Sequence, residues 1–219
     1  MSLKKYHVGG ALPRLALRAV PLMMVCCMTL PAWCLTPLSP EQESQLSAGE
    51  VVLGGSLDHR RSGIVEGKIL INSCPDRVWS IVVNPLEFAN KIQKHLRQVR
   101  FIQQSLRSSV QECEIEVAAF FPRITYRVES EYDPVKRIDF RRVGGMIKNF
   151  HGYWLLEPRD NGRKTLVTYA MYIDPGFFVP QWIMRQGLRR ELPQTLTGIR
   201  NRAHQLEAES TTALVPSRG

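Results

Sequence analysis

The sequence predicts an α+β fold in which an antiparallel sheet packs around one long C-terminal helix. Three observations predict it. Between Met146 and Asp174, two runs rich in aromatic and β-branched residues flank Asp160-Asn161-Gly162, a turn sequence typical of a β-hairpin. Earlier segments alternate apolar and polar residues, as half-buried antiparallel strands do. An amphipathic segment of matching length follows the hairpin and begins at Pro180.

The N-terminal 34 residues have the pattern of a secretory signal peptide. Basic residues precede an apolar run of about a dozen residues, shorter than the roughly 20 that span a bilayer. Ala32 and Cys34 occupy the small-residue positions of a cleavage site, so we expect cleavage after Cys34. A periplasmic or secreted protein is therefore expected, with an uncleaved membrane anchor as the alternative.

The remaining composition indicates one ordinary globular domain. With 219 residues, 44% of them hydrophobic, the chain can bury one good-sized core. Its net charge is +9, but four of the 29 basic residues lie in residues 1–34, which leaves 25 basic against 20 acidic residues. Such a modest excess argues against nucleic-acid binding, which requires a dense basic face.

Two cysteines, Cys74 and Cys113, remain after the signal segment. In an exported protein they could form a disulfide. Cys113 alternates with apolar neighbours in a predicted strand, and Cys74 precedes a predicted helix. We therefore favour two buried free thiols, with the disulfide as the alternative.

Residues 35–62 are predicted to be a lead-in segment with one short helix. Ser39 and Gln42 have the spacing of a capping box. Residues 63–72 are predicted as the first strand, and Ser73 is expected to cap the helix that follows. A second short helix is expected over residues 86–92, after the Asn84-Pro85 break.

The middle of the chain is predicted to form four antiparallel strands. They cover residues 97–106, 110–121, 124–132 and 137–143. In the second of these strands, Glu112, Glu114 and Glu116 alternate with apolar residues, so the three carboxylates are expected on the outer, solvated face and not in a catalytic pair. With the first strand and the hairpin, the sheet has about seven strands.

The closing helix carries an apolar stripe from Trp182 to Leu206 and an arginine-rich opposite side. Pro193 lies within it and is expected to bend its axis. The domain is therefore predicted to cover residues 63–207, and the polar residues 208–219 are predicted to be a disordered tail.

The order of these elements carries a resemblance to a known family. Four segments of the chain resemble the START-like (SRPBCC) superfamily. They are Ser-Cys-Pro-Asp-Arg-Val-Trp-Ser at 73–80, Asn-Pro-Leu-Glu-Phe at 84–88, Gly-Tyr-Trp-Leu-Leu-Glu-Pro at 152–158 and Phe-Phe-Val-Pro at 177–180. This superfamily includes polyketide cyclase/dehydrase and coenzyme-Q-binding-type proteins, and the resemblance is to its exported bacterial members. It implies a helix-grip fold with an apolar tunnel between sheet and helix.

Strand alternation places a set of bulky side chains on the side that faces the helix. Ligand pockets are lined mainly by such residues, with a few polar groups that orient the ligand. The alternative is that these side chains fill the space as ordinary core. The predicted ligand-binding residues are Phe121, Tyr126, Phe140, Phe150, Trp154, Tyr169, Met171, Trp182 and Ile183.

The sequence favours a non-enzymatic carrier or sensor of a hydrophobic small molecule, such as a lipid, quinone or polyketide-like compound. One alternative is a cyclase- or dehydratase-like enzyme that uses His151 or Tyr169 as acid or base. Another is a ligand-free envelope interaction module. Neither a cofactor nor a metal is expected, since no phosphate loop or zinc spacing occurs. The aromatic segment 175–184 is a candidate for peripheral membrane contact.

Overall fold

An antiparallel sheet of eight strands and one long helix form the framework of the protein. The computed structural model describes residues 38–54, 64–116, 122–177, 179 and 181–213, and describes the backbone alone for residues 90, 181–185 and 211–213. The elements in chain order are α1 (Pro40–Ser47), β1 (Val52–Gly54), β2 (Val65–Ile71), α2 (Pro75–Val82), α3 (Pro85–Glu87), a π-helical turn (Phe88–Ile92), β3 (Leu96–Gln104), β4 (Ser108–Ile115), β5 (Ile124–Asp133), β6 (Arg137–Gly145), β7 (Asn149–Arg159), β8 (Lys164–Asp174) and α4 (Gln181–Ala213). The predicted α+β architecture is confirmed.

The strands follow the order β1-β2-β8-β7-β6-β5-β4-β3, and every neighbouring pair is antiparallel. Strands β3 to β8 are joined successively, whereas β2 pairs with β8, the last strand of the chain. The β7–β8 hairpin turns through Asp160, Asn161 and Gly162, all three with positive φ. This is the left-handed conformation that asparagine, aspartate and glycine tolerate best.

Helix α4 packs closely on β2, and we call this side of the sheet the inner face. A Cβ atom at Gly67 would lie 2.9 Å from Leu196 Cδ1 and 3.3 Å from Leu192 Cδ2, so the glycine allows the helix to approach. Ile69 and Ile71 follow Gly67 on the same face and are fully buried. The middle of α4 therefore forms a dense core with β2.

The far end of α4 is anchored by hydrogen bonds to the start of α2. The Ser73 hydroxyl donates to Glu207 Oε1 at 2.8 Å, and the Thr165 hydroxyl donates to the Ser73 carbonyl at 2.7 Å. The prediction that Ser73 caps α2 is wrong, because Cys74 is the N-cap residue and its side chain makes no capping hydrogen bond. The helix also extends to Ala213, into the segment predicted as a disordered tail.

The lead-in segment is part of the packed structure. The predicted capping box at Ser39 and Gln42 is present, with hydrogen bonds of 3.0 and 3.2 Å. Leu46 of α1 and Val52 of β1 are buried with Leu166 in a small apolar cluster on the outer face. Strand β1 thus adds an eighth strand to the predicted seven, because its apolar residues are buried by pairing with β2.

The outer face of the sheet is charged and carries many ion pairs. Glu112 contacts Arg100 and Arg127 at 2.7 and 2.9 Å, and Glu114 contacts Arg123 at 2.7 Å. Cross-strand pairs of this kind contribute little individually in water, roughly 0–1 kcal/mol each. Their position confirms that the alternating glutamates of β4 face outward.

The predicted signal peptide lies outside the described residues. Within the part of the chain that the structure describes, no helix combines the length and the apolar character needed to cross a bilayer.

Candidate functional site

Most of the predicted ligand-binding residues meet on the inner face of the sheet. Six of them belong to one apolar cluster that α2 and α4 cover: Tyr126, Phe140, Phe150, Trp154, Tyr169 and Met171. Phe121 lies outside the described residues, as do the side chains of Trp182 and Ile183.

The aromatic rings of this cluster form a continuous series of contacts. Trp154 stacks on its cross-strand partner Tyr169, with ring centroids 3.7 Å apart and planes at 2°. The Phe140 ring lies 6.1 Å from that of Tyr169 and 5.1 Å from that of Phe150. Phe150 makes an edge-on contact with Tyr126 at 5.7 Å. These contacts run along the sheet from its packed centre to the end where α4 begins.

The inner-face side chains become less buried along this series, from Trp154 toward Tyr126. Trp154 is only 7% exposed, because two rings cover it. Phe88 of the π-helical turn contacts it edge-on, and Tyr169 stacks on it face to face. Phe150, Tyr126 and Ile173 face the same side but are only partly buried. Trp154 is thus a core residue, whereas the aromatic surface near the start of α4 is incompletely covered.

We call the partly buried inner-face residues Tyr126, Phe150 and Ile173 the open patch. Leu188, one of the first α4 residues whose side chain is described, is also partly buried and packs against the same cluster. Leu192, Leu196 and Ile199 further along the helix are fully buried. The helix therefore packs densely along its middle and more loosely at Leu188, near its start.

Polar groups occur within this apolar surface. Burial raises the pKa of both Tyr126 and Tyr169 well above the usual tyrosine value, and the charge of Glu191 on α4 raises both further. Both phenols are therefore neutral at physiological pH and can donate a hydrogen bond. The alternation pattern identified the tyrosines, but it could not identify Glu191, since one acid among the polar residues of a helix carries no distinguishing signal.

Cys113 lies opposite Tyr126 on the inner face, and neither Cys113 nor Cys74 is in a disulfide. Burial raises the pKa of the Cys113 thiol to about 11, although a hydrogen bond with Tyr126 opposes the shift. The expectation of two buried thiols is correct for Cys113 and wrong for Cys74, which is exposed at the start of α2.

We expect iodoacetamide at pH 8 to alkylate Cys74 rapidly and Cys113 only after unfolding. With a pKa of about 11, roughly one Cys113 thiol in a thousand is ionised at that pH, and the thiolate is the reactive form. Peptide mass mapping after timed alkylation, with and without urea, measures both rates. Equal rates in the native protein would contradict the burial of Cys113.

His151 does not reach the inner face. It alternates with Phe150 and Gly152, so it lies on the outer face, where its ring stacks on Tyr172 at 5.0 Å. Its Nδ1 lies 3.3 Å from Asn149 Oδ1. This position separates His151 from the aromatic cluster by the thickness of the sheet.

The outer face carries a shallow groove of about 210 Å³, lined by Gln98, Arg100, Glu112, Glu114 and Thr125. Because it is lined by polar residues and charged groups held in ion pairs, it does not suit an apolar ligand. Among the residues described, no three metal-ligating side chains lie together.

Comparison with known proteins places this geometry in a family. The sequence profile described as "Polyketide cyclase / dehydrase and lipid transport" matches residues 72–200. No curated protein sequence matches the chain.

Several solved structures share the fold. A STAR-related lipid transfer protein from Xanthomonas axonopodis is 16% identical with a TM-score of 0.57, and the match covers 70% of this chain and 92% of that one. The Zhui aromatase/cyclase from Streptomyces sp. R1128 is also 16% identical, with a TM-score of 0.56 and coverage of 65% and 93%. Human StAR-related lipid transfer protein 5 is 14% identical, with a TM-score of 0.56 and coverage of 73% and 84%.

Proposed function

The chain belongs to the polyketide cyclase/dehydrase and lipid transport family, and on this premise we propose that it binds a hydrophobic small molecule between the inner face of the sheet and α4. The ligand is of lipid, quinone or polyketide-like character, and the protein acts as its carrier or sensor and not as an enzyme. We place this activity outside the cytoplasm, because residues 1–34 have the pattern of a secretory signal. Contact of the segment around Pro175 and Phe177 with a membrane is part of the same proposal.

The observation that carries the proposal is the open patch. Tyr126, Phe150 and Ile173 point toward the interior side of the sheet, yet they are only partly buried. Apolar surface of this kind gains about 2.5 kcal/mol for each 100 Å² that a ligand removes from water. The dense contact of Leu192 and Leu196 with β2 holds the two sides of the site in place.

The state of the tyrosines favours binding over acid–base catalysis. A general base needs a pKa near the working pH, whereas burial raises the pKa of Tyr169 far above it. A neutral phenol instead donates a hydrogen bond to a carbonyl or hydroxyl of the ligand. Tyr169 and Tyr126 thus fit the role of orienting groups in an apolar site.

Phe150→Glu is expected to lower ligand occupancy by about tenfold or more, because it places a charge on the apolar surface that the ligand covers. Occupancy is measured by native mass spectrometry of the purified full chain, followed by organic extraction of the bound molecule. His151→Glu is the matched control, since it introduces the same charge at the next position of β7 but on the outer face. Ile173→Trp, which narrows the site without adding charge, is expected to lower occupancy as well.

Each outcome of this comparison separates one function from the others. A ligand bound by the wild type and by His151→Glu, but lost in both inner-face variants with little change in melting temperature, supports the carrier or sensor. A wild-type protein that carries no extractable molecule supports the ligand-free module. Equal occupancy in all variants would contradict the placement of the ligand on the open patch.

A further inference from the structure

Arg142 is a charged residue on the inner face of the sheet. Along β6, Ile138, Phe140 and Arg142 alternate on one side, opposite Tyr132, Ser130 and Val128 of β5. Ile138 and Phe140 are buried in the apolar cluster. The same side of the strand therefore carries a guanidinium three residues before its end, near the open patch.

The hydrogen bonds of Arg142 are incomplete. One Nη2–H donates to the Gly145 carbonyl at 2.9 Å, while Nε is buried and has no hydrogen-bond acceptor. A buried N–H of a charged group without an acceptor is costly, more so than a neutral one. Arg142 is thus held in place by one hydrogen bond to the backbone, and its Nε–H donor has no acceptor.

The other arginines of the central strands are arranged differently. Arg127, Arg137 and Arg141 each contact a carboxylate at 2.6–2.9 Å. Arg142 has no such ion pair with any residue that the structure describes. Since the neighbouring Arg141 pairs with Glu129 on the outer face, the difference arises from the inward direction of Arg142.

We propose that Arg142 binds the anionic oxygen of an amphipathic ligand, a molecule with an apolar body that ends in a carboxylate or phosphate. This inference rests on the proposed function and defines the class of ligand. Guanidinium is charged at every physiological pH, and oxyanions are its preferred partners. The negative charge of Glu191 on α4 raises the pKa of Tyr126 and Tyr169. The anionic group of the ligand is therefore disfavoured beside those two phenols and favoured beside Arg142.

The test compares ligands that share a sixteen-carbon chain and differ in the head group: palmitate, hexadecyl phosphate and hexadecanol. Binding to the full chain is measured by displacement of a fluorescent apolar probe. One or both anions are expected to bind about tenfold or more tightly than the alcohol, as a charge-assisted hydrogen bond implies. Palmitate and hexadecyl phosphate distinguish the two sources of the oxyanion.

Arg142→Gln is expected to reduce the affinity for the anion to that for hexadecanol, while hexadecanol binding stays unchanged. Arg142→Lys is expected to restore part of the preference. Arg141→Gln is the matched control, because it removes an adjacent charge on the outer face and should leave all affinities unchanged. Melting temperatures show that each variant is folded.

The outcomes separate this inference from the function on which it rests. If all three ligands bind equally and Arg142→Gln changes none of them, the binding function stands and the role of Arg142 is overturned. If none of the three displaces the probe and the probe itself does not bind, both the binding function and the role of Arg142 are overturned.

Discussion

Gly152→Ala is expected to destabilise the protein by about 3 kcal/mol, the upper end of the usual range for added groups in a packed core. A Cβ atom at this position would lie 2.1 Å from the Ala170 carbonyl oxygen and 2.6 Å from Phe140 Cζ. The first neighbour is backbone of the adjacent strand β8, which cannot move without disturbing the hairpin. Urea unfolding followed by tryptophan fluorescence measures the change.

Gly187→Ala is the control for this substitution. Gly187 lies on an exposed side of α4, and nothing lies within 4 Å of an added Cβ atom. Alanine is favoured over glycine in a helix by up to about 1 kcal/mol, so this variant should be as stable as the wild type or more so. A Gly152→Ala protein that unfolds at the wild-type urea concentration would contradict the close approach of β8 and Phe140 to Gly152.

Leu196→Ala is expected to cost about 2–5 kcal/mol, the range measured for large-to-small changes in packed cores. Its side chain is fully buried, with Cδ1 against the space above Gly67. Leu188→Ala, two turns earlier on the same stripe, is expected to cost less than about 1.5 kcal/mol, because Leu188 is only partly buried where it packs against the apolar cluster. The same urea measurement compares the two variants.

This pair tests the unequal packing on which the proposed function depends. Equal losses of stability would show that α4 contacts the sheet uniformly, and the open patch would then be ordinary core. A large loss for Leu196→Ala with a small one for Leu188→Ala would support a site that is densely packed at the middle of α4 and accessible near its start. Ligand occupancy of the Leu188→Ala protein should be retained, since the change enlarges the site.

Strand alternation predicted the direction of the inner-face side chains because its period is two, whatever the rest of the chain does. Tyr126, Phe140, Phe150, Trp154, Tyr169 and Met171 lie together as that rule requires. It also placed the glutamates of β4 on the outer face. The same alternation sets His151 outside, opposite in phase to Trp154.

Coverage of these side chains could not be predicted in the same way. Trp154 and Phe150 occupy equivalent positions of one strand, yet Phe88 covers Trp154 and no described residue covers Phe150 completely. The partner of Trp154 comes from a segment more than sixty residues earlier in the chain. Contacts at such separation depend on how helices lie on the sheet, which local patterns do not contain.

Local chemistry was also overridden where distant groups compete for it. Ser73 has the residue type of an N-cap, but its hydroxyl donates to Glu207 of α4, and Cys74 occupies the cap position. The polar residues after Leu206 resemble a frayed tail, yet the helix continues to Ala213 beyond this anchor.

The sequence alone determined an antiparallel sheet with an aromatic inner face and a long closing helix, because hydrophobic periodicity and turn residues act locally. Only the tertiary structure decided which part of that face α4 covers, that the charge of Glu191 acts on Tyr126 and Tyr169, and that Arg142 carries an unpaired donor. These features depend on contacts between residues far apart in the chain, whose geometry is settled when the whole core packs.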